Sequence, residues 1–173
     1  KVIYGPNNGK LIIFGTGKYM EDSDNLLTPV RTQSMYVIND YDATPKYIAS
    51  RAFLQQGTVS NGVITVNDFV WGRAATAGDT TQRSGWFIDF PSSGERQFSD
   101  VVVSGGQLLF GTLLPPPETL DDPCGVGQSQ FYSINYATGE GLVTKSTVGI
   151  ISQIFVGESA EASSNTISDS TGR

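Results

Sequence analysis

The chain has 173 residues, 38% hydrophobic and 16% charged, with 20 glycines and 8 prolines. That is enough for one domain with a real core or for part of a larger one, and it suits short strands and turns better than helices with Lys/Glu-rich solvent faces. Eleven basic against seventeen acidic side chains give a net charge of −6, with no histidine and one cysteine, Cys124; this excludes the electrostatic footprint of nucleic-acid or anionic-lipid binding, every imidazole-based chemistry, and a disulfide within the chain.

The chain opens at Lys1, without a methionine or a signal peptide, and enters strand-like Val2-Ile3-Tyr4 at once, as expected of a fragment or processed product. No apolar run approaches the ~20 residues of a membrane span. Gly9-Lys10-Leu11-Ile12-Ile13-Phe14-Gly15-Thr16 is a continuously apolar run between glycines, predicting an inner strand covered on both faces. Ser34-Met35-Tyr36-Val37-Ile38-Asn39 predicts another strand, leading to a turn at Asp42-Ala43-Thr44-Pro45. Further strands are expected over Gly62–Val66, Phe69–Trp71, Gly85–Phe90, Asp100–Val103, Gly105–Thr112, Gln130–Asn135 and Thr147–Phe155. Leu113 to Gly127 is a long connection, stiff at Pro115-Pro116-Pro117, and reads as a crossing between blades. Residues 157–173 are Ser/Thr-rich and read as a tail or linker.

An internal repeat organises these elements. Phe14-Gly15-Thr16 recurs as Phe110-Gly111-Thr112, and Tyr36-Val37-Ile38-Asn39 recurs as Tyr132-Ser133-Ile134-Asn135. From Phe14 to Phe110 and from Ile38 to Ile134 the displacement is the same 96 positions. A third copy, Trp86-Phe87-Ile88-Asp89, lies between, with Ile88 50 positions after Ile38 and 46 before Ile134. The unit is therefore about 48 residues, the size of a propeller blade. The expected fold is all-β and β-propeller-like, with antiparallel blades of about 48 residues. Residues 1–156 would hold about three and a half blades, an incomplete ring or a fragment of a larger propeller. A compact β-sandwich of the same strands is the alternative. Trp86, Phe87, Tyr132 and Tyr136 are expected to pack between blades.

Nothing in the pattern reaches catalysis. Glu21-Asp22-Ser23-Asp24-Asn25 and Asp121-Asp122 are rich in hard oxygen ligands, but the EF-hand spacing fails, since the fifth, sixth and twelfth positions from Asp22 are Leu26, Leu27 and Gln33. Asp79, Asp89, Glu95 and Asp100 could supply paired carboxylates, yet Asp89 aligns with Asn39 and Asn135 and so reads as a turn residue. Gly15-Thr16-Gly17-Lys18 lacks phosphate-loop spacing, and Cys124 has no histidine to activate it. No catalytic or cofactor-binding residue is assigned, and metal ligands are left open.

Gly9-Lys10-Leu11-Ile12-Ile13-Phe14-Gly15-Thr16-Gly17-Lys18-Tyr19-Met20-Glu21 resembles a blade opening of the C-terminal propeller in the PilC/PilY type IV pilus adhesins. Gly85-Trp86-Phe87-Ile88-Asp89-Phe90-Pro91 with Ser93-Gly94-Glu95-Arg96 resembles that family's Gly-Trp…Gly-Glu-Arg segment, and Asp122-Pro123-Cys124-Gly125, Phe131–Asn135 and Thr138-Gly139 follow in the family's order. The resemblance runs to about Val156. It implies a secreted, pilus-tip or outer-membrane protein of a Gram-negative bacterium, non-enzymatic, supporting pilus biogenesis and surface attachment. Implied partners are the pilus tip or minor pilin subunits and host-cell or abiotic surfaces. The family often carries a calcium-binding loop, which usually lies upstream of such a segment; no match to it occurs here, so the resemblance allows calcium in the parent protein and carries no ligand over to this chain. A quinone-dependent oxidoreductase propeller and a generic extracytoplasmic scaffold propeller are the competing readings.

Overall fold

In the first hairpin, alternation decides which face is buried. Leu11 and Ile13 are buried while Ile12 and Phe14 are exposed, and across the pair Met35 and Val37 are buried. The computed structural model describes residues 1–17, 20, 32–40, 50–74, 76–115, 127–147, 149–151 and 153–156. Among these it contains thirteen strands and two single-turn 3₁₀ segments, Pro6–Asn8 and Arg51–Phe53. The strands are β1 (Val2–Tyr4), β2 (Lys10–Gly15), β3 (Ser34–Asp40), β4 (Gln55–Ser60), β5 (Val63–Val66), β6 (Val70–Trp71) and β7 (Gln82–Arg83). They continue with β8 (Gly85–Asp89), β9 (Arg96–Gln97), β10 (Val102–Ser104), β11 (Gln107–Leu114), β12 (Gln128–Asn135) and β13 (Gly141–Lys145).

Eleven of the strands form one sheet, in the order β1-β2-β3-β8-β4-β5-β13-β12-β11-β10, with β9 on the far half of β11; β6 and β7 form a separate parallel pair. All pairings in the large sheet are antiparallel except β4 with β8. The sheet curls round a single core of Leu11, Ile13, Met35, Val37, Ile64, Val66, Trp86, Ile88, Phe90, Val101, Leu108, Phe110, Tyr132 and Ile134. Its two ends approach each other through β9. Gln97 lies opposite Thr112 of β11, and its backbone N–H donates to the Thr16 carbonyl just past β2 at 3.3 Å. Gly15 and Gly17 make that approach possible, because a Cβ would lie 2.5 Å from Gln97 Cβ at the first and 2.4 Å from Arg96 Cβ at the second.

The 96-residue repeat is written into the pairing. Ile12 faces Ile38 and Phe14 faces Tyr36 in β2–β3, while Leu108 faces Ile134 and Phe110 faces Tyr132 in β11–β12. The registers are equivalent, but opposite faces are turned inward. In β11–β12 the core receives Leu108, Phe110, Tyr132 and Ile134; in β2–β3 their equivalents Ile12, Phe14, Tyr36 and Ile38 lie on the outside. The middle copy, β8, is laid antiparallel on β3, with Met35 opposite Ile88 and Val37 opposite Trp86.

Two expectations need correction. No described residue of Thr147–Phe155 is in a strand. Instead Ile151 lies against Gly111, and its N–H donates to Ser129 Oγ at 2.9 Å, so the segment covers one end of β11–β12 from outside. The strand beside β12 is β13, which periodicity did not single out. The turn at 42–45, most of the 113–127 connection and the 157–173 tail lie outside the described residues.

Trp86 is fully buried in the core, and its Nε1 donates to the Tyr136 carbonyl at 2.9 Å. Trp86→Ala should therefore lower unfolding stability by about 3–5 kcal/mol, read from urea titrations. Gly85 has φ +152°, and a Cβ there would lie 2.0 Å from the Val37 carbonyl oxygen. Gly85→Ala must therefore separate β8 from β3, and circular dichroism melts should show a lower Tm than for Gly78→Ala, where nothing lies within 4 Å.

Candidate functional site

Two polar clusters stand out, one inside the curl and one on its outer surface. The inner one is built on Glu95, which the turn after β8 carries beneath the sheet. Its side chain is 1% exposed. One carboxylate oxygen accepts from Thr112 Oγ1 at 2.6 Å and Tyr132 OH at 2.7 Å; the other accepts from Gln130 Nε2 and from the Ser92 N–H, both at 3.2 Å. Gln130 also donates to Ser92 Oγ at 2.9 Å. A buried carboxylate is costly unless its lone pairs are filled, and here four donors fill them. Burial, then the charge of Glu95 and the hydrogen bond to it, pushes the Tyr132 phenol well above its ordinary range, so it stays protonated as a donor.

The outer cluster centres on Arg51, in the 3₁₀ turn before β4. Its guanidinium lies 4.6 Å from the Phe87 ring centroid and 5.4 Å from that of Tyr36, donates from Nε to Tyr36 OH at 2.7 Å and from Nη2 to Ser34 Oγ at 2.6 Å, and pairs with Asp89 at 3.1 Å. Ser34 Oγ in turn donates to Asp89 Oδ1 at 2.5 Å. Burial lowers the Arg51 pKa, but the bond to Tyr36 and the charge of Asp89 outweigh it, leaving the group above its ordinary value and firmly charged. Phe14, Tyr36 and Phe87 form a stacked row beneath it, with centroids 5.1 and 5.8 Å apart.

The four carboxylates weighed for acid–base work serve separate ends. Asp79 accepts from the Thr81 N–H and hydroxyl at 2.8 Å, shaping a turn. Asp89 clamps Arg51, so the turn role suggested by its alignment with Asn135 belongs to Asn135 alone of the two; Asn135 accepts from the Ala137 and Thr138 N–H groups. Glu95 is buried, and Asp100 lies exposed on a groove of about 650 Å³ with Lys1, Val101–Val103, Gln153 and Ile154. Among the described residues no three Cys, Asp or Glu side chains gather where a metal could sit. The acidic stretches Glu21–Asn25 and Asp121-Asp122, with Cys124, lie outside those residues. Arg51, Ser34, Thr112 and Gln130 were not anticipated; the signal available was the repeat, since Thr16 and Thr112, and Ser34 and Gln130, are 96 positions apart. Thr16 Oγ1 accepts from the Ser34 N–H at 2.8 Å, while Thr112 Oγ1 donates to Glu95 at 2.6 Å and reaches the Gln130 carbonyl at 3.5 Å.

No protein-family model matches the chain. The type IV pilus biogenesis factor PilY1 of Pseudomonas aeruginosa strain PAO1 is 28% identical over 151 residues, which is 76% of this chain and 13% of that protein. A PilY1 homologue of Xylella fastidiosa strain Temecula1 is 28% identical over 155 residues, covering 80% of this chain and 9% of that protein. The crystal structure of the P. aeruginosa PilY1 C-terminal domain superposes with a TM-score of 0.59 at 23% identity, over 80% of this chain and 30% of that one. This chain is similar in sequence to PilY1 and in fold to the PilY1 C-terminal domain. The resemblance to the PilC/PilY family is thus upheld, as is the all-β, propeller-like fold. The chain spans at most about 13% of the length of these curated PilY1 relatives. Glu95, from the Gly-Glu-Arg segment that carried the resemblance, supplies the anchor of the inner cluster.

Tyr132→Phe removes one donor from the buried carboxylate and should cost about 1–3 kcal/mol at neutral pH, measured by chemical denaturation. The raised Tyr132 pKa fixes the sign of a pH effect: its contribution is complete below the unfolded-state phenol value near ~10 and is lost as pH rises above it. Denaturation between pH 8 and 11 should show a steeper loss in the native chain than in Tyr132→Phe.

Proposed function

We propose that this chain is a structural and adhesive module of a type IV pilus-associated protein, acting through surface contacts rather than turnover. The observation that carries the reading is its relation, over about three-quarters of its length, to proteins named as type IV pilus biogenesis factors. The fate of the polar groups supports it. Glu95 and Asp89 are consumed in holding elements together, and neither faces a second carboxylate among the bonds they make. The parent protein works at the surface of a Gram-negative cell, at the pilus tip or outer membrane, with minor pilin subunits as protein partners and host-cell or abiotic surfaces as targets. No helix among the described residues is long and apolar enough to cross a membrane.

The test is to label the full-length protein on intact cells and locate it by electron microscopy beside a pilus-deficient strain. Label at pilus tips that disappears with the pili is expected. Label spread through the periplasm in both strains would overturn the proposal, and quinone absorbance in the purified protein would then point to the oxidoreductase reading.

A further inference from the structure

Glu95 bridges a hydroxyl and a side-chain amide. Thr112 Oγ1 donates to one of its carboxylate oxygens at 2.6 Å, and Gln130 Nε2 donates to the other at 3.2 Å. Thr112 and Gln130 are direct cross-strand partners in β11–β12, so their side chains share a face. Directly opposite residues stand about 5 Å apart at Cβ, a gap that the bond path Cβ–Oγ1–Cδ–Cγ–Cβ of a Thr–Gln ester matches. Only the NH₂ end of an amide can meet a carboxylate. Glu95 therefore fixes which end of the Gln130 amide it faces, and Ser92 Oγ accepts from the same nitrogen at 2.9 Å.

The surroundings suit a reaction that happens once. Thr112, Ser129 and Tyr132 are fully buried and Glu95 nearly so, which shields an acyl group formed among them from water. A carboxylate within hydrogen-bond reach of a hydroxyl is placed to act as its general base. Gln130 is half-buried and lines, with Ser92, Leu114 and Lys145, a cavity of about 350 Å³ that gives a small leaving group a way out. The repeat supplies a comparison. Ninety-six positions earlier stand Thr16 and Ser34, where the hydroxyl accepts from a backbone N–H and the partner residue carries no amide. The first hairpin keeps the threonine without the electrophile.

We infer that Thr112 and Gln130 join in an ester cross-link that the protein forms on itself, with Glu95 as the catalytic base and then acid. Thr112 Oγ1 attacks Gln130 Cδ while its proton passes to Glu95. The carbon–nitrogen bond then breaks, the proton returns to Nε2, and ammonia departs. One O–H and one C–N bond are lost, one C–O and one N–H bond are gained, and Glu95 ends as the carboxylate it was. The paired strands hold the reacting groups together, and escape of ammonia into bulk water draws the exchange forward. The link fastens β11 to β12 at Thr112, where β9 also pairs, and closes residues 113–129 into a covalent loop. This inference rests on the Glu95 geometry, not on the pilus role.

The test is a digest of the reduced, denatured full-length protein with a glutamate-specific protease. Cleavage after Glu95, Glu118 and Glu140 releases residues 96–118, which hold Thr112, apart from residues 119–140, which hold Gln130. The two peptides should instead emerge joined, lighter than their sum by one ammonia, and hydroxylamine should part them. Thr112→Ser should keep the link and Thr112→Val should lose it. Two separate peptides of full sequence mass from the parent protein would overturn the inference. So would residues 119–140 joined to residues 141–158 and resistant to hydroxylamine, which would make Lys145, the other strand neighbour of Gln130, the nucleophile. A Glu95→Gln protein that melts cooperatively and still carries the ester would overturn the part given to Glu95.

Discussion

The buried carboxylate of Glu95 is the constraint on which the closure of this sheet depends. Taking a carboxylate out of water is unfavourable by several kcal/mol unless the surrounding donors are all in place. Those donors come from three places: the turn after β8, β11 and β12. The turn can therefore sit only where Thr112, Gln130 and Tyr132 converge. The two residues that follow Glu95 are β9, and from this fixed start they reach both Thr112–Leu113 and the end of β2. Closing the curl and satisfying one buried charge are thus the same event.

Face selection is the second principle. The repeat preserves register across 96 positions, yet β2–β3 turns its odd-numbered residues inward and β11–β12 its even-numbered ones. Side chains alternate with period two, so a hairpin that is apolar on both faces can be used either way round. Ile12, Ile13 and Phe14 are all strongly apolar, and so are Leu108, Leu109 and Phe110. The contacts that choose the face come from elsewhere: Gln97 on Gly15 at the first hairpin, Ile151 on Gly111 at the second.

Much of this architecture was legible in the residues, and what was not has physical causes. Strands β2, β3, β8, β11 and β12 announce themselves through aliphatic and aromatic runs, most of them flanked by glycine. Strand β4 does not, because Gln55-Gln56-Gly57-Thr58-Val59-Ser60 offers only Val59 as a large apolar side chain; its place is made by the close approach of Gly57 to Ile88 and Val66. Thr147–Phe155 misleads in the opposite sense, since Ile150 and Ile151 signal a strand, while Gly111 gives Ile151 a backbone to lie on instead. The role of Glu95 was beyond reach for a different reason. Its donors are 3, 17, 35 and 37 positions away, and nothing local in Gly94-Glu95-Arg96 says which they are.

The strand order also governs how the chain reaches its native state. Strand β8 is inserted between β3 and β4, and β5 finds its second neighbour only in β13, where Ile64 meets Gly141. Neither half of the sequence holds a set of strands that completes itself, and pairings between residues so far apart bear a large loop-closure entropy before they gain any contact energy. The edges of β3 and β5 stay open until later segments have been synthesised, inviting pairing with other chains in the meantime. A polypeptide of this topology acquires its structure late, and any pathway that delivers it in stages must protect the edge of β3 until Asp89 has emerged and that of β5 until Lys145 has.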